Sequence, residues 1–202
     1  MRAGLDGFVE VSTLRRAAPA WQWSELVGRL VELSGARADA SLSAVLRIVL
    51  DAQRRAEHVA WIGTRTSSFH PPDVAESGVD LDALIVVRLS ASHELAFAAD
   101  GLARSGVFGL LVLDLTTRAS IPMPLQSRLL SLAQKHGTAI LCVTAKASDE
   151  PSLSSLVSLR GEASLRRTGR DAFVCELTAV KDKRRSRLWS DSEVRRGTVG
   201  LR

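Results

Sequence analysis

Gly28-Arg29-Leu30-Val31-Glu32-Leu33-Ser34-Gly35-Ala36-Arg37-Ala38-Asp39-Ala40-Ser41-Leu42-Ser43 is the stretch that decides the fold. A short apolar run, 30–33, gives way at Gly35 to a turn. A helix predicted over 41–56 follows, with Leu42, Val45, Leu46, Val49 and Leu50 forming one broad apolar face. Strand, glycine turn and helix in that order are the layout of a phosphate-binding loop, whose signature is G-x-x-x-x-G-K-[ST]. Gly35 holds the first glycine position. Ala40 stands at the second glycine, Ser41 at the lysine and Leu42 at the magnesium-binding hydroxyl. The pattern is therefore a degenerate Walker A: Gly35, Ala40, Ser41, Leu42.

Each replacement removes something a phosphate needs. The lysine of the signature charges the β- and γ-phosphates, and the hydroxyl ligates magnesium. A charge-assisted hydrogen bond of that kind contributes about 1.5–3 kcal/mol. Ser41 is uncharged and short, Leu42 offers a metal no oxygen, and Ala40 adds a Cβ where the loop must curl. Arg37 or Ser43 are the residues that could compensate in part. A plain strand–turn–helix with one glycine remains the alternative at this point.

The 202 residues, 46% hydrophobic, suffice for one α/β domain with a real core. No apolar run approaches the length of a membrane span, and the first residues, Met1-Arg2-Ala3-Gly4-Leu5-Asp6-Gly7-Phe8, lack the apolar centre of a signal peptide. A cytoplasmic location is expected. Cys142 and Cys175 lie in strand-like surroundings and are expected to be buried thiols. His58, His70, His93 and His136 show no ligand spacing, so no metal and no cofactor is assigned. The net charge of +5 is uneven. From Arg160 onward there are 12 Lys/Arg against 6 Asp/Glu, whereas the preceding residues hold 15 against 16. An acidic partner, nucleic acid or protein, or merely a solvated tail, fits that excess.

Apolar β-like runs alternate with amphipathic ones, as in a mostly parallel sheet flanked by helices. Strands are predicted at 58–63, 84–88, 109–114 and 139–144, and helices at 92–105 and 124–136, the last capped by Gly137. Pro71-Pro72 is taken as a turn. Hairpin-like strands at 155–160, 163–167 and 172–180 suggest antiparallel additions at the C-terminal edge. Residues 1–27, with Trp21 and Trp23, form an N-terminal segment expected to pack on a core domain of 28–183. Residues 184–202 show no core pattern and are taken as a basic, flexible tail. No internal repeat is evident.

The segment Gly78-Val79-Asp80-Leu81-Asp82, followed by Asp100-Gly101-Leu102-Ala103-Arg104-Ser105-Gly106, resembles the RecA family in residues and spacing. Leu110-Leu111-Val112-Leu113-Asp114 is similar to its Walker B strand, with Asp114 at the magnesium-holding position. The resemblance covers about 28–183 and implies a RecA-like P-loop NTPase core. Carried over residue by residue, most of the chemistry is missing. Arg65 or Thr66 falls at the water-activating glutamate and Ala145 at the phosphate-sensing glutamine. Asp114, Lys181 and Lys183 survive, the lysines resembling a pair presented to a neighbouring subunit's ATP. With lysine and metal gone, Asp114 is expected to need a partner. Either Arg65 swings in to pair with it, or backbone N–H groups cap it.

In size and in the kind of loss the chain most resembles the ImuA family of SOS mutagenesis accessory proteins. That resemblance implies a pseudo-ATPase without cofactor that binds RecA, ImuB or both, beside a DnaE-type error-prone polymerase. Lys181, Lys183, Arg184, Arg185, Arg187 and Trp189 are the candidate contacts for a protein partner or for single-stranded DNA. Two alternatives stand beside it: a SulA-like cell-division inhibitor binding FtsZ, and a weak nucleotide-sensing ATPase.

Overall fold

Leu30–Ser34 (β1) is buried at all five positions, as expected of a parallel strand covered on both faces. The computed structural model describes residues 21–35, 38–67, 69–116, 120–147, 149–169 and 172–196. The helices are α1 (Trp23–Leu26), α2 (Ala38–Arg54), α3 (Pro71–Glu76), α4 (Leu95–Ser105) and α5 (Met123–His136). The strands after β1 are β2 (His58–Thr64), β3 (Leu84–Leu89), β4 (Phe108–Asp114), β5 (Ala139–Thr144), β6 (Leu159–Arg167), β7 (Ala172–Asp182) and β8 (Ser190–Arg196). They form one sheet in the order β3-β2-β4-β5-β1-β6-β7-β8. β1 to β6 run parallel; β7 and β8 are antiparallel additions.

Two apolar cores sandwich this sheet. Trp21, α2 and Val74 of α3 cover one face, together with Val31, Leu33, Trp61 and Val112. α4, α5 and the stretch around Val157 cover the other, together with Leu30, Ala60, Leu111 and Ile140. The RecA-like wording around residue 100 has a packing cause. Asp100, 4% exposed, pairs with Arg104 and with Arg128, each at 2.7 Å, and so ties α4 to α5. Gly106 ends α4 at φ +68°, and a Cβ there would lie 2.7 Å from the His136 ring.

The structure departs from the sequence expectations in four places. Pro71 and Pro72 open a helix at its first positions, where a missing N–H costs nothing. The segments 155–160 and 163–167 are one strand from Leu159, and 155–158 precede it as turn and coil. Gly161 permits this, lying against Leu177, Trp21 and Leu33. Helix α2 begins at Ala38 rather than residue 41. The stretch taken as a flexible tail supplies β8, paired with β7 from Thr178↔Ser190 to Ala172↔Arg196. The expectation of a flexible tail fails there because a sheet edge is held by backbone hydrogen bonds and needs no buried face of its own.

Trp21 and Trp23 pack on the core. Trp21 is 1% exposed and donates from Nε1 to the Ala44 carbonyl. Trp23 donates to the Gly109 carbonyl. Residues 1–20 and 197–202 lie outside the described residues.

Candidate functional site

In open parallel sheets, ligands bind beyond the carboxyl ends of the strands. Here that rim carries Ser34 at the end of β1 and Gly35 just after it, Thr64 at the end of β2, Asp114 at the end of β4 and Thr144 at the end of β5. Only residues 35–37 separate β1 from α2, so the positions that should arch around a phosphate, 38–40, are already helical. Ala40 is 1% exposed and Ser41 2%. Leu42 packs against the core instead of facing the rim. The Ser41 hydroxyl is buried with no hydrogen-bond partner among the described residues. A buried hydroxyl without a partner is destabilising. Ser41→Ala is therefore expected to raise the unfolding free energy by up to about 1 kcal/mol, read as a higher urea midpoint.

Asp114 is 1% exposed, and its Oδ1 accepts from the Thr116 N–H at 3.1 Å and from the Thr116 hydroxyl at 2.5 Å. Arg65 is exposed and makes no ion pair with Asp114. Of the two expectations for Asp114, pairing with Arg65 is therefore corrected, and the other, capping by a backbone N–H, is met by Thr116, whose hydroxyl adds to it. β2 also passes close by, since a Cβ on Gly63 would lie 3.5 Å from that of Asp114. Thr66 and Ala145 are exposed on the same rim.

Two buried charges that sequence reasoning missed shape the rest of it. Glu32, fully buried in β1, accepts from Thr144 Oγ1 at 3.1 Å and the Leu153 N–H at 2.8 Å, and pairs with Lys146 Nζ at 3.2 Å. Arg160, 2% exposed, donates to Ser34 Oγ and to the carbonyls of Ala147 and Glu150. Together they hold the segment after β5 down. A cavity of about 420 Å3 remains there, lined by Leu115, Ser120, Thr144, Ala145, Lys146, Glu150 and Leu153. A larger one, about 710 Å3, lies at the amino ends of β2 and β3 among Leu50, Gln53, Glu57, Asp80 and Ile85, remote from the rim.

No family profile matches this chain. Bacterial RecA proteins do match it in part. RecA of Nocardioides sp. is 35% identical over 126 residues, which cover 56% of this chain and 35% of that protein. RecA of Haemophilus ducreyi is 30% identical over 129 residues, 58% of this chain and 34% of its own length. For RecA of Leifsonia xyli the figures are 32% over 128 residues, 58% and 36%. The core is RecA-like. The chain spans about a third of the length of these relatives.

In this RecA-like core the basic segment sits at the opposite end of the sheet from the rim. β7 runs antiparallel, so Asp182 lies beside Leu159 at the start of β6. Lys181 and Lys183 reach the Ser154 and Ser155 carbonyls. Burial, and after it the charge of Lys183, holds the Lys181 ammonium below its ordinary value. Arg184 donates to the Val27 carbonyl, and Arg185 pairs with Glu25 at 3.2 Å.

Trp189 donates its indole N–H to Asp182 and lies 6.4 Å from the Trp21 ring. Trp189, one of the candidate contact residues, is thus half-buried and held in place by Asp182 and Trp21. Of the six candidate contact residues, Lys183, Arg184 and Arg187 remain exposed. Cys142 and Cys175 are buried and not joined in a disulfide, and burial pushes the Cys142 thiol up. Among the described residues no group of His, Cys, Asp or Glu is arranged to hold a metal, and no helix is long and apolar enough to cross a membrane.

Proposed function

We propose that this protein is a non-catalytic, RecA-like accessory protein of the bacterial SOS response, of the ImuA kind, acting in the cytoplasm during translesion synthesis. It binds RecA, ImuB or both, beside a DnaE-type error-prone polymerase, and limits recombination by the RecA filament. One observation carries the reading. The start of α2 is packed into the core at Ala40, Ser41 and Leu42, where a nucleotide site needs an open, cationic loop. The scaffold around it is intact. A RecA-shaped body without ATP chemistry can dock on a filament subunit and still fail to extend the filament.

Strand exchange by RecA, run with increasing amounts of this protein, tests the reading. Inhibition that rises with added protein is expected; unimpaired exchange at several-fold excess overturns filament capping. Calorimetry with ATP and magnesium tests the pseudo-ATPase status separately. No heat of binding is expected in the submillimolar range, and a saturable isotherm there would restore the alternative of a weak ATPase.

The SulA-like alternative is separated by capture: retention of FtsZ, with no retention of RecA or ImuB, would select it. Single-stranded DNA is a further ligand under this reading, through Lys183, Arg184 and Arg187. Contact with phosphates would make binding fall steeply with salt, whereas a protein interface would be far less sensitive.

A further inference from the structure

The cavity of about 710 Å3 at the amino ends of β2 and β3 has an apolar lining and charged walls. Leu50, Ala56, Ala83 and Ile85 supply the apolar surface, and Ile85 is 49% exposed. A concave space of this volume with a few polar groups around it is the form that small-ligand sites take.

Its two walls are fixed by different elements. On the β3 side, the Gln53 amide donates to the Asp80 carbonyl at 2.8 Å and accepts the Asp80 N–H at 3.0 Å. Asp80 Oδ1 in turn accepts the Asp82 N–H at 2.9 Å. On the β4 side, the Glu57 carboxylate takes the space that a Cβ on Gly109 would fill. β2 runs between β3 and β4, so the walls stand about two strand spacings apart, roughly 10 Å. The carboxylates of Glu57 and Asp82 hold no hydrogen bond or ion pair with another described residue. The last turn of α2 also lines the cavity, and the negative end of the helix dipole reinforces the field of the carboxylates.

We propose that this cavity binds an aliphatic polyamine, two or more ammonium groups carried on a methylene chain. One ammonium pairs with Glu57 and another with Asp82 beside Asp80. The chain between them lies over Ala56, Ala83 and Ile85, where its methylenes leave water. The separation of the anions decides the class of ligand. Among the described residues no group of His, Cys, Asp or Glu converges enough to hold a metal ion, so a compact dication is not matched. Two positive charges held apart by an apolar stem are. Arg54 is the opposing cation on the wall, exposed and outnumbered by Glu57, Asp80 and Asp82. The proposal does not depend on the RecA-like reading of function.

Amide chemical shifts of the nitrogen-labelled full chain, titrated with cadaverine, test it. Saturable changes in the millimolar range are expected, confined to residues 50–58 and 78–85. Pentylamine has the same stem and one ammonium, and should bind about fivefold more weakly, the loss of one exposed ion pair. Glu57→Gln and Asp82→Asn should each weaken cadaverine by about threefold to fivefold, and Arg54→Ala should tighten it by a similar factor. Ala83→Trp, at an exposed position, should fill the cavity and abolish binding. All four variants should keep the parent's unfolding midpoint, which separates a lost site from a lost fold. Shifts that do not saturate overturn the proposal. So does pentylamine or magnesium chloride acting as well as cadaverine, which would mean plain attraction of cations to an acidic surface. Binding indifferent to Glu57→Gln and Asp82→Asn, or retained in Ala83→Trp, overturns it as well.

Discussion

Asp182→Ala is expected to lower the unfolding free energy by about 3–5 kcal/mol, the cost of leaving a buried partner charge uncompensated. Arg29 and Asp182 are 1% and 2% exposed and meet at 2.7 Å. Around them the arrangement is saturated. Arg29 also donates to the Ser158 hydroxyl and carbonyl and to the Glu25 carbonyl. Asp182 further accepts from the Trp189 indole and the Arg184 N–H. The pair thereby fastens the start of β1 to the end of β7 and to the turn that launches β8.

Replacing both partners, as in Arg29→Met with Asp182→Leu, should cost much less than either single change, because no orphaned charge remains. Urea denaturation of the three variants checks the ordering. Equal losses for the single and double variants would show that the pair acts through shape rather than charge.

The same pair sets an acid limit. Burial alone would push the Asp182 carboxyl up. Hydrogen bonds from Arg29, Trp189 and the Arg184 backbone, with the Arg29 charge, outweigh it and hold the carboxyl below its ordinary value. Burial in turn lowers Arg29, which trims what the pair gains. A folded-state value below the unfolded one, about 3.9 for an aspartate, means a stabilisation fully present above that value. It is lost as pH falls through the folded value. Stability should therefore decline below about pH 4, and in Asp182→Asn that part of the decline should vanish.

Trp21→Ala is the second large effect, about 3–5 kcal/mol for a buried aromatic whose cavity cannot fully collapse. The indole fills the space above Gly161 and lies beside Trp189. Trp21→Phe keeps most of the volume and loses the hydrogen bond to Ala44, so about 1 kcal/mol is expected. Thermal unfolding of the two variants resolves these, since 1 kcal/mol moves the midpoint by roughly 2–4 °C in a domain of this size. A loss for Trp21→Phe as large as for Trp21→Ala would mean that the hydrogen bond, not the packing, holds the N-terminal segment.

The strands of the parallel core were legible because burial on both faces forces continuous apolar runs, as in Leu110–Leu113 and Ala139–Val143. Strand β8 was not, because an edge strand may carry Ser, Asp and Glu as long as its backbone is paired. Nor was α3, since two adjacent prolines signal a break anywhere except at a helix start.

The residues at Gly35, Ala40, Ser41 and Leu42 could be read by position alone. The roles of Glu32 and Arg160 could not. Their partners, among them Leu153, Thr144, Ala147 and Ser34, lie 13 to more than a hundred residues away in the chain. The intramolecular partners of Trp189, Asp182 and Trp21, were hidden in the same way, behind a run of arginines that draws attention to a contact surface.

The strand order has a consequence for how the molecule comes into being. β1 occupies the middle of the sheet, yet its neighbours begin with the pairings Leu30↔Ile140 and Val31↔Leu159. A chain emerging from the ribosome must therefore hold its first strand unpaired until more than a hundred further residues are made. Loop closure over such distances makes folding slow, and a half-made sheet with bare apolar edges is prone to aggregate. Assembly of this protein is governed by its last third: until β5 and β6 arrive, the centre of the sheet does not exist.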